Sequence, residues 1–163
     1  MNASKTERNK VNAIRPGLRS DRIFLLRDRR GAAVLELAIT MGLLLSLSFG
    51  MIEFGYCYYC KNMLVGAARE GARVAIVDGS TSSTVSTNVA NALASMKWPS
   101  SYYSIAITDT SNNPINLSSV AVGTQVEVTV SANWGTIGQG FRPLGLISSG
   151  KTISGSVVMR KEQ

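Results

Sequence analysis

The stretch Arg27-Asp-Arg-Arg-Gly31-Ala-Ala-Val-Leu-Glu36-Leu-Ala-Ile-Thr-Met-Gly-Leu-Leu-Leu-Ser-Leu-Ser-Phe-Gly-Met-Ile52 decides how the rest of the chain is read. A basic segment stops at one glycine. The 21 residues that follow, 32–52, carry a single charge, Glu36, five positions after Gly31. A membrane-spanning helix needs about 20 apolar residues, and this run supplies them. A carboxylate inside such a run is costly, which makes Glu36 a candidate functional residue. Glu53 lies at the outer boundary of the span, where a carboxylate can reach water, and is a candidate interface residue.

The charge distribution orients the span. The chain has 163 residues and a formal net charge of +7. Residues 1–31 hold nine Lys or Arg against three acids, so +6 of that charge lies in the leader and +1 in the remainder. Basic charge beside a membrane segment is an orientation signal, not a sign of nucleic acid. The positive-inside rule puts residues 1–31 in the cytoplasm and everything after the span outside. A cleaved secretory signal is the competing reading. Its apolar region would cover only about 7–15 residues, with a small-residue cleavage site on the far side. The run here is longer and leads straight into more helix. The predicted organisation is a basic cytoplasmic leader over 1–31, a transmembrane helix over 32–52, a periplasmic continuation of that helix over 53–78, and an extracytoplasmic α+β domain over 79–163. The exterior part has the size of one small domain with one core.

Outward from the span, residues 1–26 are polar and basic, broken by Pro16-Gly17, and predicted to be disordered. Residues 21–27 suggest a short amphipathic turn on the inner leaflet. In the other direction no proline occurs between Ala32 and Pro99, and the helical pattern continues to about residue 77, where Asp78-Gly79-Ser80 stops it. One helix of that length would be ~70 Å long. Ala67, Gly71 and Ala75 fall at i, i+4 and i+8 and form a face for close approach. The partner is either this chain's own sheet or another subunit. Glycine costs ~1 kcal/mol relative to alanine inside a helix, so Gly71→Ala is expected to be tolerated or slightly stabilising, and Gly71→Leu to disrupt packing. Arg69 and Arg73 lie on another side.

Residues 81–84 supply an N-cap for a second helix, whose apolar stripe is Val85, Val89, Ala92, Leu93 and Met96 and which Trp98-Pro99 ends. Tyr103, Ile105 and Ile107 alternate with polar or small residues, as do Val126, Val128 and Val130, the pattern of half-buried antiparallel strands. Residues 134–150 form a glycine-rich loop. Ile153, Gly155, Val157 and Met159 alternate in a last strand. The fold class is α+β: a long N-terminal helix, membrane-spanning in its first half, and a second short helix packed on an antiparallel sheet of three or four strands.

Little in the chain points to catalysis. Histidine is absent, which removes the commonest general base and metal ligand. Cys57 and Cys60 form a CxxC, yet zinc would need two further N or S ligands, and redox chemistry of the thioredoxin kind needs a soluble βαβ context. The plainer reading is two small apolar residues in an interfacial belt of Phe54, Tyr56, Tyr58 and Tyr59; an intermolecular disulfide is the other. Asp109-x-Ser111-x-Asn113 has the spacing that opens a calcium loop, but Pro114 replaces the expected glycine and no Glu closes the loop, so it reads as a turn. No nucleophile–base pair or phosphate loop is found. No catalytic, metal or cofactor-binding residue is predicted, and the chain is not read as an enzyme.

Gly31-Ala-Ala-Val-Leu-Glu36-Leu-Ala, the apolar run, Phe49-Gly-Met-Ile-Glu53-Phe-Gly55, Ala67-Ala-Arg-Glu-Gly-Ala-Arg73 and the terminal Val-Val-Met-Arg160 together resemble the TadE-like family, the minor pilins or pseudopilins of the tight-adherence (Tad/Flp) type IV pilus system. Leu37 stands where the family usually has an aromatic residue. The resemblance covers 31–77 strongly and 125–162 loosely. It implies a pilin-like long helix and cytoplasmic cleavage between Gly31 and Ala32 by a prepilin peptidase, an aspartic membrane protease. Glu36 becomes the fifth residue of the mature chain, with a role in processing or assembly. Its carboxylate and the new ammonium at Ala32 are an opposite-charge pair in a poorly solvated place, formed within one helix or between subunits. The implied partners are the prepilin peptidase, other pilin and minor pilin subunits, the inner-membrane assembly platform and the lipid bilayer. The implied function is assembly of a pilus for surface adhesion or biofilm formation. The alternative is a permanently anchored, uncleaved extracytoplasmic domain that binds or senses a ligand.

Overall fold

A computed structural model describes residues 29–162; the disordered leader and the amphipathic turn predicted within residues 1–28 lie outside the described residues. The fold is α+β. Helix α1 (Arg29–Ala75) is followed by α2 (Ser82–Leu93), β1 (Tyr103–Thr108), β2 (Gln125–Asn133), one turn of helix α3 (Trp134–Ile137) and β3 (Thr152–Arg160). The chain divides into two compact units, one ending at Ile39 and one running from Thr40. In the first, α1 begins, and its side chains from Gly31 to Ile39 are exposed. The second holds the remainder of α1 and all the other elements named.

Helix α1 runs through a segment without proline and rich in Leu, Met and Ala, all good helix formers. Its end is capped from two sides. Gly79 takes a left-handed φ of 70°, which turns the chain back. Ser80 Oγ then lies 2.7 Å from the Val77 carbonyl and 3.0 Å from that of Ala75, serving carbonyls the helix leaves unpaired. The buried Lys161 ammonium donates to the Val77 and Leu117 carbonyls, both at 3.3 Å. A cation at the negative end of a helix is favourable.

Helix α2 begins at Thr81, whose Oγ1 accepts the Thr84 N–H at 3.2 Å, an N-cap. It buries Val85, Val89 and Leu93, spaced at four residues on one face. Lys97, in the left-handed region at φ 52°, turns the chain just before Trp98-Pro99.

The strands form one sheet in the order β1-β2-β3, both pairings antiparallel. Its register sets Ile107 opposite Val128 and Val130 opposite Gly155. The central strand buries Val126, Val128, Val130 and Ala132 completely or nearly so. The other face carries hydroxyls: Ser104 and Ser131 meet at 3.4 Å, and Thr129 donates to Ser156 at 3.0 Å, which in turn donates to Glu127.

The C-terminal half of α1 is one wall of the core, through Cys60, Leu64, Ala67, Ala68, Gly71, Ala72 and Ala75. Small residues there let both neighbours come close. A Cβ on Gly71 would lie 2.7 Å from Val89 Cγ2 and 3.3 Å from Val128 Cγ1, so α2 and the sheet both press on that point. Gly71 therefore faces this chain's own core. The structure argues against the expected tolerance of Gly71→Ala, because Val89 is fully buried and, being β-branched, has few rotamers to move to. A closer approach lies where sequence periodicity did not look. A Cβ on Gly155 would sit 2.6 Å from the Leu64 carbonyl carbon and from Val65 Cα, backbone that no rotamer change can move.

Three alanine substitutions test this packing by thermal melting of the full chain in detergent. Overpacking costs about 1–3 kcal/mol, offset at Gly71 by the ~1 kcal/mol gain in helix propensity, so Gly71→Ala should lower the melting temperature modestly. Gly155→Ala should lower it more. Gly66→Ala, where a Cβ meets nothing within 4 Å, should raise it. Equal melting temperatures for the three would contradict the close approach at Gly71 and Gly155.

Candidate functional site

The candidate processing residues lie at the start of α1. Gly31, Ala32 and Glu36 are helical and exposed. Among the described residues, a Cβ on Gly31 would have no neighbour within 4 Å, so their packing makes no use of the missing side chain. Ala32 and Glu36 stand four apart on one helix, and side chains at that spacing share a face.

The helix is able to cross a membrane by length and composition. An 18-residue window reaches a mean hydropathy of 2.0 with none of it buried, and every residue from Gly31 to Phe49 is exposed. The serines in this run keep their hydroxyls off the surrounding medium by donating back one turn. Ser46 Oγ reaches the Gly42 carbonyl and Ser48 Oγ the Leu44 carbonyl, each at 2.8 Å. That satisfies a polar group without water.

At Gly50 one side of the helix becomes buried, and at Glu53 the structure departs from the sequence reading. Glu53 does not reach water: its residue surface is fully covered. Loop residues 144–147 fold over it, and Oε1 accepts the Ile147 N–H at 2.9 Å. The Ile147 bond first, with the Leu146, Leu144 and Gly145 amides nearby, holds the carboxyl below its ordinary range against the opposing effect of burial, and among the described residues Oε2 has no hydrogen-bond partner. Gly145 has φ 61°, the left-handed conformation that glycine adopts without strain and that lets the loop turn its amides inward. Arg142 Nη2 donates to the Ile147 carbonyl at 3.2 Å, so both backbone polar groups of Ile147 are held.

The aromatic belt splits in two. Phe54, Tyr58 and Tyr59 are exposed, whereas Tyr56 turns inward. Its ring stacks on Phe141 at 4.2 Å between centroids and approaches Trp134 at 6.0 Å. Trp134, fully buried, opens α3, where the Asn133 side chain accepts the Gly135 N–H at 2.8 Å. Cys60 is buried in the core, Cys57 is half-buried, and both are free thiols. Burial pushes the Cys60 thiol, two turns beyond the apolar run, up to about 11. A thiolate is therefore scarce there, and the thiolate is the reactive form.

Asp109 is an acceptor within its own turn. Oδ1 takes the N–H groups of Ser111 and Asn113, both at 2.8 Å, and Oδ2 takes the Asn113 side-chain amide at 3.1 Å. The Asn113 backbone bond, first among these, holds the carboxyl below its ordinary range. Loop residues 144–147 and the Trp134 anchor were missed in the sequence. The available signal was an apolar cluster, Phe141, Leu144, Leu146 and Ile147, inside a stretch otherwise rich in glycine and serine.

With this geometry in view, comparison with protein families matches residues 31–73, about a quarter of the chain, to the model described as TadE-like protein. The matched segment starts at Gly31, contains Glu36, Glu53, Ala67 and Gly71, and ends at Arg73. No curated protein and no solved structure matches the chain.

The Glu53 contact predicts a difference between two substitutions. Glu53→Gln keeps a carbonyl oxygen for the Ile147 N–H, and Glu53→Leu removes it. Limited proteolysis of the detergent-solubilised full chain should cut residues 138–150 faster in Glu53→Leu and at nearly the parent rate in Glu53→Gln. Equal rates in all three would show that the carboxylate does not hold the loop.

Proposed function

We propose, from the TadE-like domain at residues 31–73, that this chain is a minor pilin of a tight-adherence pilus. It is a non-enzymatic subunit, made as a membrane precursor, cut between Gly31 and Ala32, and used in pilus assembly and surface adhesion. Residues 1–31 form the cytoplasmic leader, 32–52 cross the inner membrane with the basic end inside, 53–78 continue the helix into the periplasm, and 79–163 complete the exterior domain. The prepilin peptidase, other pilin subunits and the assembly platform are its partners.

The observation that carries this reading is Gly31 itself. A glycine inside a helix costs about 1 kcal/mol relative to alanine, and nothing among the described residues occupies the space where a Cβ on Gly31 would stand. A peptidase subsite that excludes side chains accounts for its presence. Cleavage leaves an ammonium on Ala32 one turn before Glu36. In a medium of low dielectric that pair attracts strongly, and between neighbouring subunits it would set their axial register.

N-terminal sequencing of the membrane-purified protein should give Ala32 as the first residue. Gly31→Leu should leave a precursor longer by the 31 leader residues. Mature protein beginning at Ala32 in that variant would remove the processing assignment. Intact leader in the parent protein would favour the permanently anchored domain.

Glu36→Ala should insert and fold normally, because it takes a charge out of an apolar run, while pilus number and adhesion fall. Parental pilus number in cells carrying Glu36→Ala would remove the register role.

A further inference from the structure

The loop between α3 and β3 carries an exposed apolar tip that the minor-pilin reading does not use. Phe141, Leu144 and Leu146 are 48%, 42% and 56% exposed, on a segment that also holds Arg142 and Pro143 and is otherwise mostly glycine and serine. Their position along α1 is set by two contacts. Leu146 Cδ1 lies 3.4 Å from where a Cβ on Gly50 would stand, and the Ile147 N–H is bonded to Glu53. The tip therefore sits beside the last turn of the apolar run, where Met51, Ile52 and Phe54 are themselves exposed.

Where the loop meets the helix, the backbone of Ile147 is satisfied within the protein. Irregular backbone in contact with lipid must have its polar groups satisfied internally. Here the Ile147 N–H goes to Glu53 and the Ile147 carbonyl to Arg142. The Glu53 carboxylate, the one anion at this level of the helix, is covered by the same loop.

Further from the span, the groove between loop and helix changes character. A cavity of about 370 Å³ there is lined by Phe54, Cys57, Tyr58 and Ile147 together with Lys61 and Lys151. Lys61 lies seven residues beyond Phe54, about 10 Å along the axis at 1.5 Å per residue. Apolar side chains at one depth and ammonium groups one step outward match the acyl boundary and the phosphate layer of a phospholipid leaflet.

We infer that the loop 141–147 docks into the outer leaflet of the membrane that α1 crosses, with Leu144 and Leu146 in the acyl boundary and Lys61 and Lys151 at the phosphates. The inference rests on the reading of α1 as a membrane anchor. It makes the loop a second lipid contact, which ties the exterior domain to the bilayer surface while the subunit is in the membrane and must come free when the subunit leaves it.

Tryptophan placed in the full chain tests this, in vesicles of phosphatidylethanolamine and phosphatidylglycerol whose acyl chains are brominated near the headgroup or near the bilayer centre. The emission of the parent protein, from Trp98 and Trp134, is subtracted. The Leu144→Trp variant should lose most of its added emission to the shallow bromines and little to the deep ones. Leu43→Trp, in the middle of the apolar run, should be quenched by the deep bromines. Val122→Trp, on an exposed loop elsewhere, should be quenched by neither. Phe141→Trp is a second reporter that keeps an aromatic ring against Tyr56. If Leu144→Trp and Phe141→Trp are unquenched while Leu43→Trp is quenched, the anchor stands and the docking is overturned. Blue-shifted emission in that case assigns the loop to a protein partner, and red-shifted emission leaves it in water. If Leu43→Trp is also unquenched, the anchor reading fails and the docking with it.

Discussion

Strand β3 rests on α1 backbone to backbone at Gly155, and the depth of the whole domain follows from that contact. A side chain there would push the strand off the helix, since its Cβ would stand 2.6 Å from the backbone of Leu64 and Val65. It would open space around Leu64, Val128 and Val130, which are now fully buried. Interiors are packed at crystal-like density, so such a gap cannot be absorbed. The alanine-rich stripe of α1 serves the same end. Ala67, Ala68, Ala72 and Ala75 contribute little apolar area of their own. They let the valines of β2 and α2 meet the helix at short range, where dispersion contacts are strongest.

Because this stripe and the apolar run belong to one helix, α1 changes solvent along its length. Up to Phe49 it is exposed all round, and from Gly50 onward one side enters the protein core. Glu53 stands just past that change, and a carboxylate there has three options: water, lipid or protein. The loop over it supplies protein. The Ile147 amide, on a loop that turns at Gly145, takes one place that water would otherwise fill on the carboxylate. The Tyr56, Phe141 and Trp134 rings anchor the same loop from the helix side. The helix thus carries an exposed apolar run, a covered anion and a core wall in sequence, and a shift in its register would disturb all three.

The opposite face of the sheet shows a different chemistry. Ser104, Ser131, Thr129, Ser156 and Glu127 form hydroxyl and carboxylate pairs across the strands. Cross-strand polar pairs of this kind stabilise a sheet without adding apolar surface. Among the described residues, exposed large apolar side chains are concentrated on the apolar run and on the loop beside it, with scattered exceptions such as Val122 and Val158. Single exposed apolar residues are ordinary on protein surfaces; a contiguous group at the end of a span is not.

The sequence by itself determined the long helix, its apolar run, the cap of α2 and the class of the sheet. Each is written in local terms: unbroken helix formers, threonine before an apolar stripe, alternation with period two. It also made Gly31 and Glu36 stand out, since a break from basic to apolar and a lone carboxylate are visible without any fold. Only the tertiary structure decided where Glu53 goes, why Gly155 is glycine, and that Gly71 faces α2 and β2. Those depend on residues about 90 positions apart in the chain for Glu53 and Ile147, and on helix and strand backbones meeting, which no periodicity records. The terminal lysine shows the same limit. Lys161 looks like part of a charged tail, yet it is buried on the carbonyls of Val77 and Leu117. A free helix end attracts a cation, and the fold, not the local sequence, brings this one there.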